Sequence, residues 1–170
     1  CVAKMHGDID IVSFGMSIIN GGLDDNYTGF KIGSEYHRIK IVGQRQMTDD
    51  VIFQSTYTAC NKLFKKSILK KYNIKFTEGR LFEDNDFTII YMLHCRNGAF
   101  LDKYLYNYLQ RPGSIMERIR NGKSERVVDN LYIFDNLYQH CKKYNLFLSI
   151  FNFLSSSALS KELTKVPTTL

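Results

Sequence analysis

The chain has 170 residues, of which 44% are hydrophobic and 24% are charged, as in ordinary soluble globular proteins. A chain of this length makes one domain that buries about 70% of its unfolded surface, and no apolar run reaches the roughly 18 residues of a membrane-spanning helix. The net charge of +6 favours a negatively charged partner, which leaves nucleic acid, an anionic membrane surface and a phosphorylated substrate open. The first residue is Cys rather than Met, which indicates a piece of a longer polypeptide.

The first part of the chain alternates strand and helix signals. Residues 9–19 form an apolar run with hydrophobic residues on both faces, which predicts a strand inside a covered sheet. A polar loop through Gly33 and a second strand over residues 35–42 are expected to follow. Thr48 stands before two acidic residues, a typical helix start, and predicts a short helix that ends near Tyr57.

A basic cluster accompanies the next predicted helix, over residues 67–71. Such a cluster suits nucleic acid, although a solvated helix face is its commoner meaning. No helix-turn-helix, zinc-finger or RNA-binding motif accompanies it in the sequence, so nucleic acid is not expected as a partner. The cluster consists of Lys65, Lys66, Lys70 and Lys71.

An acidic stretch, residues 81–87, stands before an apolar segment over residues 87–95. Apolar residues recur there at helical spacing and fill the other faces as well, so this helix is expected to be buried. Glu83 and Asp84 would lie at its start, where the helix dipole and free backbone N–H groups favour negative charge. The local pattern leaves two meanings open, because Asp84 or Asn85 can cap the helix and a carboxylate can also act as a base.

The remaining elements are two strands and two helical segments. Strands are predicted over residues 99–101 and 104–110, the second with strict alternation. Residues 123–144 form an amphipathic helix, and residues 145–159 favour a packed helix over an interfacial one. Together these elements predict an α/β fold, with a small mixed β-sheet and flanking helices. The apolar stripe of the amphipathic helix consists of Val127, Leu131, Phe134, Tyr138 and Cys141.

The cysteines lie far apart and form no Cys-x-x-Cys pair, which predicts reduced thiols in a cytosolic compartment. Two of them follow a histidine, as in His94-Cys95 and His140-Cys141. Neighbouring residues of a helix point about 100° apart, so neither pair readily offers both ligands to one metal ion. No metal site is expected in this chain. The four cysteines are Cys1, Cys60, Cys95 and Cys141.

Three segments together resemble motifs of family 2 glycosyltransferases, the GT-A-fold enzymes that build bacterial surface polysaccharides. Residues 59–69, which include Asn-Lys-Leu, are similar to the family's Asn-Lys-Leu motif and the helix after it. Residues 76–87 are similar to its Glu-Asp motif, and residues 106–115 resemble the strand and turn that close the active site. Their order and spacing make the match fairly specific over about residues 10–116.

The resemblance implies a fold and an activity. Residues 1–120 would be the acceptor-side half of a GT-A (nucleotide-diphospho-sugar transferase) domain, and residues 121–170 a C-terminal helical extension. The parent enzyme would transfer a sugar from a nucleotide-sugar donor, usually UDP-linked, to a hydroxyl of a glycan or lipid-linked acceptor with inversion. It would be a hexosyltransferase, such as a galactosyl- or glucosyltransferase, in polysaccharide or glycan biosynthesis.

The family motifs also imply roles for individual residues. Asp84 matches the family's catalytic base, which takes the proton of the attacking hydroxyl. Glu83 would support it by orienting the loop or binding the acceptor. Positive and polar groups must stabilise the departing nucleotide diphosphate, and the acceptor side must be braced. The expected residues are Gln110, Arg111 and Ser114 near the diphosphate, and Asn61 and Lys62 on the acceptor side.

The chain departs from the family at its N-terminal side. Family members have a nucleotide-binding half that ends in an Asp-x-Asp motif, which holds Mg²⁺ or Mn²⁺, and that half is not visible here. Asp8-Ile9-Asp10 has the same letters but begins the first strand, so it is not expected to bind metal. The fragment alone is expected to be inactive, and its parent to be cytoplasmic or peripheral at the inner face of the membrane.

Two further interpretations stay open. The first is a non-catalytic interaction domain that keeps this fold and binds a partner through its basic face. The second, which is less favoured, is a nucleic-acid-binding module built on the basic cluster of residues 65–71, and it would bind with a steep salt dependence.

Overall fold

The computed structural model describes residues 8–20, 31–35, 41–110, 114–115 and 126–146. In these ranges the chain forms a mixed five-stranded β-sheet and α-helices packed against it. The strands are β1 (Ile11–Asn20), β2 (Lys31–Glu35), β3 (Gly43–Gln46), β4 (Lys62–Phe64) and β5 (Asn97–Gln110). The helices are α1 (Asp49–Gln54), α2 (Lys66–Tyr72), α3 (Glu83–Leu93) and α4 (Arg126–Tyr144).

Strand β1 is the centre of the sheet. It runs parallel to β5 on one edge and pairs antiparallel with β4 and β2 on the other, while β3 pairs antiparallel with β5. Ile11 and Val12 are both buried, although neighbouring residues of a strand face opposite sides. Both faces of the sheet are therefore covered at this end of β1, as the apolar run predicts. The prediction of an α/β chain with a small mixed sheet is confirmed.

Helix α3 passes through the core. Every residue from Asp86 to Met92 is buried, so this part of the helix has no solvent-facing side, as its sequence predicts. The ring of Phe87 stacks on Phe76 with 3.9 Å between centroids and meets the edge of Phe64 at 5.2 Å. Aromatic packing thus joins α3 to β4 and to the loop that follows α2.

The Tyr91 hydroxyl joins α3 to the sheet by hydrogen bonds. It donates to the carbonyl oxygen of Asp10 over 2.6 Å and accepts the backbone N–H of Lys65 over 2.6 Å. The side chain of Asp10 also accepts the Arg96 backbone N–H at 2.8 Å and forms an ion pair with Lys65 at 3.2 Å. Asp10 therefore works as a structural residue at the start of β1, in line with the prediction for the Asp8-Ile9-Asp10 segment.

Helix α4 packs on α3, but its inward face differs from the predicted stripe. Leu131 and Tyr138 were expected inside, yet they are 55% and 46% exposed. The buried positions among the described side chains are Asp129, Ile133, Leu137 and the predicted Cys141, which recur every fourth residue, and the predicted Phe134 is half-buried against the core. Asp129 on this inward face binds the loop before α3. The helix itself is confirmed from Arg126 onward, while residues 123–125 and 147–159 lie outside the described residues.

The edge strands and α1 differ from the sequence predictions. The expected loop through Gly33 is wrong at residues 31–33, which belong to β2. The expected strand over residues 35–42 is confirmed at Glu35 and wrong at residues 41–42, and its middle, residues 36–40, lies outside the described residues. All four residues of β3 are exposed, so no hydrophobic pattern marks this strand. Helix α1 ends at Gln54 rather than Tyr57, because the backbone becomes extended at Ser55.

The cysteines in the described ranges, Cys60, Cys95 and Cys141, are free thiols, and only Cys60 of these is exposed. None of the helices seen in the described part of the chain combines the length and the hydropathy that crossing a membrane requires.

Candidate functional site

The acidic stretch forms the start of α3, but no carboxylate caps the helix. Glu83 and Asp84 are the first two helical residues, and the N-cap position belongs to Phe82, without a side-chain capping bond. The backbone N–H of Asn85 donates to the Phe82 carbonyl oxygen at 2.9 Å. The capping role considered for Asp84 or Asn85 is therefore wrong, since the N-cap residue, Phe82, lies two residues before Asp84 and three before Asn85.

Phe82 has a left-handed backbone, with φ of 63° and ψ of 26°. A residue with a side chain adopts this conformation at a cost of about 1–2 kcal/mol, and such strain is found preferentially at functional sites. This turn leads directly into α3, of which Asp84 is the second residue.

The Asp84 carboxylate is half-buried and lies among polar groups. Burial raises its pKa above the usual range, and the neighbouring Glu83 carboxylate raises it further. Hydrogen bonds from the backbone N–H groups of Ala59 and of Asp84 itself lower the pKa, as does the positive charge of Lys62. The site therefore holds a carboxylate that is more basic than an exposed one and still has groups that stabilise its charge.

Asn61, two residues after Ala59 in the same segment, is 1% exposed. Its Nδ2 donates to the Phe14 carbonyl oxygen at 2.7 Å, which fixes it to β1. Its Oδ1 accepts from the Thr58 hydroxyl at 2.8 Å and from the Lys62 ammonium at 2.9 Å. Both ends of the amide are thus used inside the protein, and Asn61 braces the segment rather than facing solvent.

Lys62 is equally enclosed, at 5% exposure. Its Nζ donates to Thr56 Oγ1 at 2.8 Å, to the Thr58 carbonyl oxygen at 2.8 Å and to Asn61 Oδ1 at 2.9 Å. These three acceptors match the three donors of an ammonium group. Burial lowers the pKa of Lys62 to about 7, while the nearby Cys60 and Asp84 act to raise it.

Cys60, which interacts with Asp84, and Tyr106, which interacts with Cys60, were not identified as site residues from the sequence. The Cys60 thiol lies 3.3 Å from Met16 Sδ and forms a hydrogen bond with the Tyr106 side chain. Burial raises the pKa of Cys60, and the Asp84 charge raises it further, so the thiol is favoured over the thiolate. Tyr106 is 37% exposed on β5, where the sequence shows only an alternating tyrosine row more typical of sheet packing.

The three residues predicted near the leaving diphosphate are described only in part. Gln110 ends β5 opposite Asn20 of β1, and its side chain lies outside the described residues. Arg111 also lies outside the described residues, and Ser114 is half-buried. Their role beside a nucleotide diphosphate stays a prediction.

The loop before α3 is tied to α4. Asp129 accepts from Arg80 Nη1 at 3.2 Å and from the Leu81 backbone N–H at 3.1 Å. Asp86, which is 0% exposed, accepts from Asn136 Nδ2 at 2.5 Å. Both flanks of the Glu83–Asp84 pair are therefore held by side chains of the same distant helix.

The two histidines of the His-Cys pairs meet at the other end of α3. His94 Nε2 and His140 Nε2 are 2.8 Å apart, and the Tyr72 ring stacks on His94 with 3.6 Å between centroids. Their neighbours Cys95 and Cys141 are buried in the core. Within the described ranges, no group of three or more His, Cys, Asp or Glu residues could hold a metal ion. The described residues thus do not fit the Mg²⁺ or Mn²⁺ that the resemblance implies for a parent enzyme.

No protein-family model matches the chain, and no curated protein or solved structure shows a significant match. What the site can do is therefore judged from its residues: a half-buried carboxyl at a helix start whose pKa is raised by burial, and a buried lysine whose charge acts to lower that pKa.

Proposed function

We propose that this chain is the acceptor-side part of an inverting glycosyltransferase of the family 2, GT-A type, in which Asp84 is the general base. The observation that carries the proposal is the setting of Asp84. Asp84 is the second residue of a helix that is buried from Asp86 onward, and burial raises the pKa of its half-buried carboxyl, while the Ala59 backbone and the Lys62 charge act to lower that pKa. Two of the three segments that resemble the family contribute to this setting, since Lys62 comes from the first and Asp84 from the second.

The chemistry calls for such a carboxylate. The acceptor hydroxyl attacks the anomeric carbon of the donor sugar while its proton passes to Asp84. A new C–O bond forms, the bond to the nucleotide diphosphate breaks, and the diphosphate leaves with the electron pair. A base works best when its pKa approaches the operating pH, and burial moves the pKa of Asp84 in that direction.

The rest of the proposal concerns groups beyond Asp84. Glu83, on the same helix turn, would orient the acceptor, and Tyr106 would border its binding site through its exposed aromatic face. The nucleotide-sugar donor, usually UDP-linked, and its divalent metal would be held by a donor-binding half that the described residues do not provide. The acceptor would be a glycan or a lipid-linked sugar, met in the cytoplasm or at the inner face of the membrane.

The test is Asp84→Asn in the full-length protein, with Asp102→Asn as a matched control on the exposed surface of β5. Loss of a general base lowers the turnover number by about 10²–10⁴-fold, whereas donor binding is retained because the amide keeps the shape of the carboxylate. The control is expected to stay within about twofold of the wild type. If Asp84→Asn and Asp102→Asn had equal turnover numbers, Asp84 would not be the general base.

A further inference from the structure

Helix α4 buries an acidic residue. Asp129 is 8% exposed, and a carboxylate removed from water needs hydrogen bonds or a positive partner to offset its lost hydration. Its Oδ1 accepts from Arg80 Nη1 at 3.2 Å, and its Oδ2 accepts from the Leu81 backbone N–H at 3.1 Å. These two partners are consecutive residues of the loop before α3. Both oxygens of Asp129 therefore bind one short stretch of the chain.

Arg80 has a second partner on α4. Its guanidinium carbon lies 3.7 Å from the centroid of the Tyr132 ring, in a cation–π contact. Asp129 and Tyr132 are three residues apart, so they are neighbours on the surface of the helix. The carboxylate and the ring together fix the position of Arg80 relative to α4.

The backbone that follows these two loop residues is strained. Phe82 comes directly after Leu81 and has φ of 63° and ψ of 26°, a left-handed conformation that a residue with a side chain avoids. The bond from Asp129 fixes the chain one residue before Phe82. On the other side, the Asn85 N–H donates to the Phe82 carbonyl oxygen at 2.9 Å. The strained residue is thus fixed from both sides.

The chain after the Glu83–Asp84 pair is fixed separately. Asp86 is 0% exposed, and its Oδ2 accepts from Thr77 Oγ1 at 2.7 Å and from Asn136 Nδ2 at 2.5 Å. Removal of Asp129 is therefore expected to loosen the turn before the pair while the buried part of α3 stays in place.

We propose that Asp129 is a positioning residue for the Glu83–Asp84 pair. By binding Arg80 and Leu81, it keeps Phe82 in the left-handed conformation, and this conformation sets the point at which α3 begins. The catalytic meaning of this role rests on the general base of the proposed function, whereas the stabilisation of the turn does not depend on it.

The direct test is amide hydrogen exchange, measured by NMR in the chain and in Asp129→Ala. The Asn85 N–H reports on the turn because it donates to the Phe82 carbonyl oxygen. Without Asp129, the cost of the left-handed residue is no longer offset, and the turn opens more often. We expect the Asn85 exchange rate to increase by about 5–30-fold, the factor that corresponds to the cost of this conformation.

Phe82→Gly tests whether Asp129 acts on the strained turn. Glycine adopts the left-handed conformation readily, so the turn then depends much less on Asp129. In the Phe82→Gly background, Asp129→Ala is expected to change the Asn85 exchange rate by no more than about twofold. A general contribution of Asp129 to stability would instead give the same acceleration in both backgrounds, because it does not involve the strain.

Asp135→Ala is the matched control, because Asp135 lies on the exposed side of the same helix, where it accepts from Gln139. It should leave the Asn85 exchange rate within about twofold of the wild type. If Asp129→Ala does not fold, Asp129→Asn replaces it, since asparagine keeps the size of the side chain and loses the charge that binds Arg80. Equal Asn85 rates in Asp129→Asn and Asp135→Asn, or equal accelerations by Asp129→Ala in the two backgrounds, would overturn the proposal.

Activity separates this proposal from the proposed function. In the full-length enzyme, Asp129→Ala is expected to lower the turnover number by up to about 10²-fold with the Michaelis constant for the donor unchanged, and adding Phe82→Gly should restore part of the loss. If Asn85 exchange responds to Asp129→Ala but Asp84→Asn turns over normally, the stabilisation of the turn stands and the base role fails. If Asp84→Asn is inactive but Asn85 exchange does not respond, the base role stands and only the positioning role of Asp129 fails.

Discussion

Removal of one hydroxyl from the core should measure how firmly α3 is attached to the sheet. Tyr91 is 0% exposed, and its hydroxyl accepts from the Lys65 backbone N–H and donates to the Asp10 carbonyl oxygen, both over 2.6 Å. In Tyr91→Phe the ring stays in place and both backbone groups lose this partner.

The size of the effect follows from the geometry. A buried polar group left without a partner costs about 1–3 kcal/mol. The Lys65 N–H also lies 3.3 Å from the Asp10 carbonyl oxygen, so the two groups satisfy each other in part. We therefore expect a decrease of about 2 kcal/mol in the free energy of unfolding rather than the sum of two full penalties.

Urea denaturation of the chain measures this change. For a denaturant slope of about 2 kcal/mol per molar, the midpoint falls by about 1 M. Tyr132→Phe is the matched control, because Tyr132 is 51% exposed on α4 and its ring, over which Arg80 lies at 3.7 Å, is retained. The control should change stability by less than about 0.5 kcal/mol. Equal midpoints for the two variants would refute the hydrogen bonds assigned to Tyr91.

Two further predictions concern α4. Leu137→Ala should lower the free energy of unfolding by about 2–5 kcal/mol because Leu137 is 1% exposed. Leu131→Ala should lower it by less than about 0.5 kcal/mol because Leu131 is 55% exposed. Equal urea midpoints for the two variants would mean that α4 buries a different face. The pKa of His94 is lowered from 6.5 to about 4 and that of His140 is lowered too, in each case first by burial. Between pH 6.5 and about pH 4 the unfolded chain therefore binds more protons than the folded chain. The free energy of unfolding should fall by about 1–2 kcal/mol as the pH decreases through this range, a value that is reduced because both rings are partly exposed. His140→Gln should flatten this dependence in urea unfolding at several pH values, and an unchanged slope would contradict the assignment.

Hydrophobic pattern was enough to predict the centre of the fold. The sequence predicts β1 and α3 because an element that is buried on every side has few polar residues. The candidate base was also accessible from the sequence, since Asp84 stands at the start of that helix. The sequence could not show whether Asp84 caps the helix, because capping depends on which residue is the first helical one.

The remaining features depend on backbone groups and on buried polar side chains. Strand β3 is paired through its main chain and exposes all four side chains, so nothing in their hydrophobicity marks it. The inward face of α4 includes Asp129, a residue that a hydrophobic pattern assigns to the surface. The buried ammonium of Lys62 is held by the hydroxyl of Thr56, the backbone carbonyl of Thr58 and the side-chain amide of Asn61, a set of partners that no hydrophobic pattern reveals.

The contacts of Asp129 and Asn136 limit how the protein can be re-engineered. The two side chains lie seven residues apart, about two helical turns, and hold the chain on either side of Glu83–Asp84. A chimera that replaces the C-terminal helix would keep the acidic stretch in place only if the new helix carried a carboxylate and an amide at this separation. A replacement chosen for hydrophobic fit alone would remove one hydrogen-bond donor from Asp86 and the carboxylate that accepts from the Leu81 N–H. In such an exchange, α4 should therefore be transferred together with the acidic stretch.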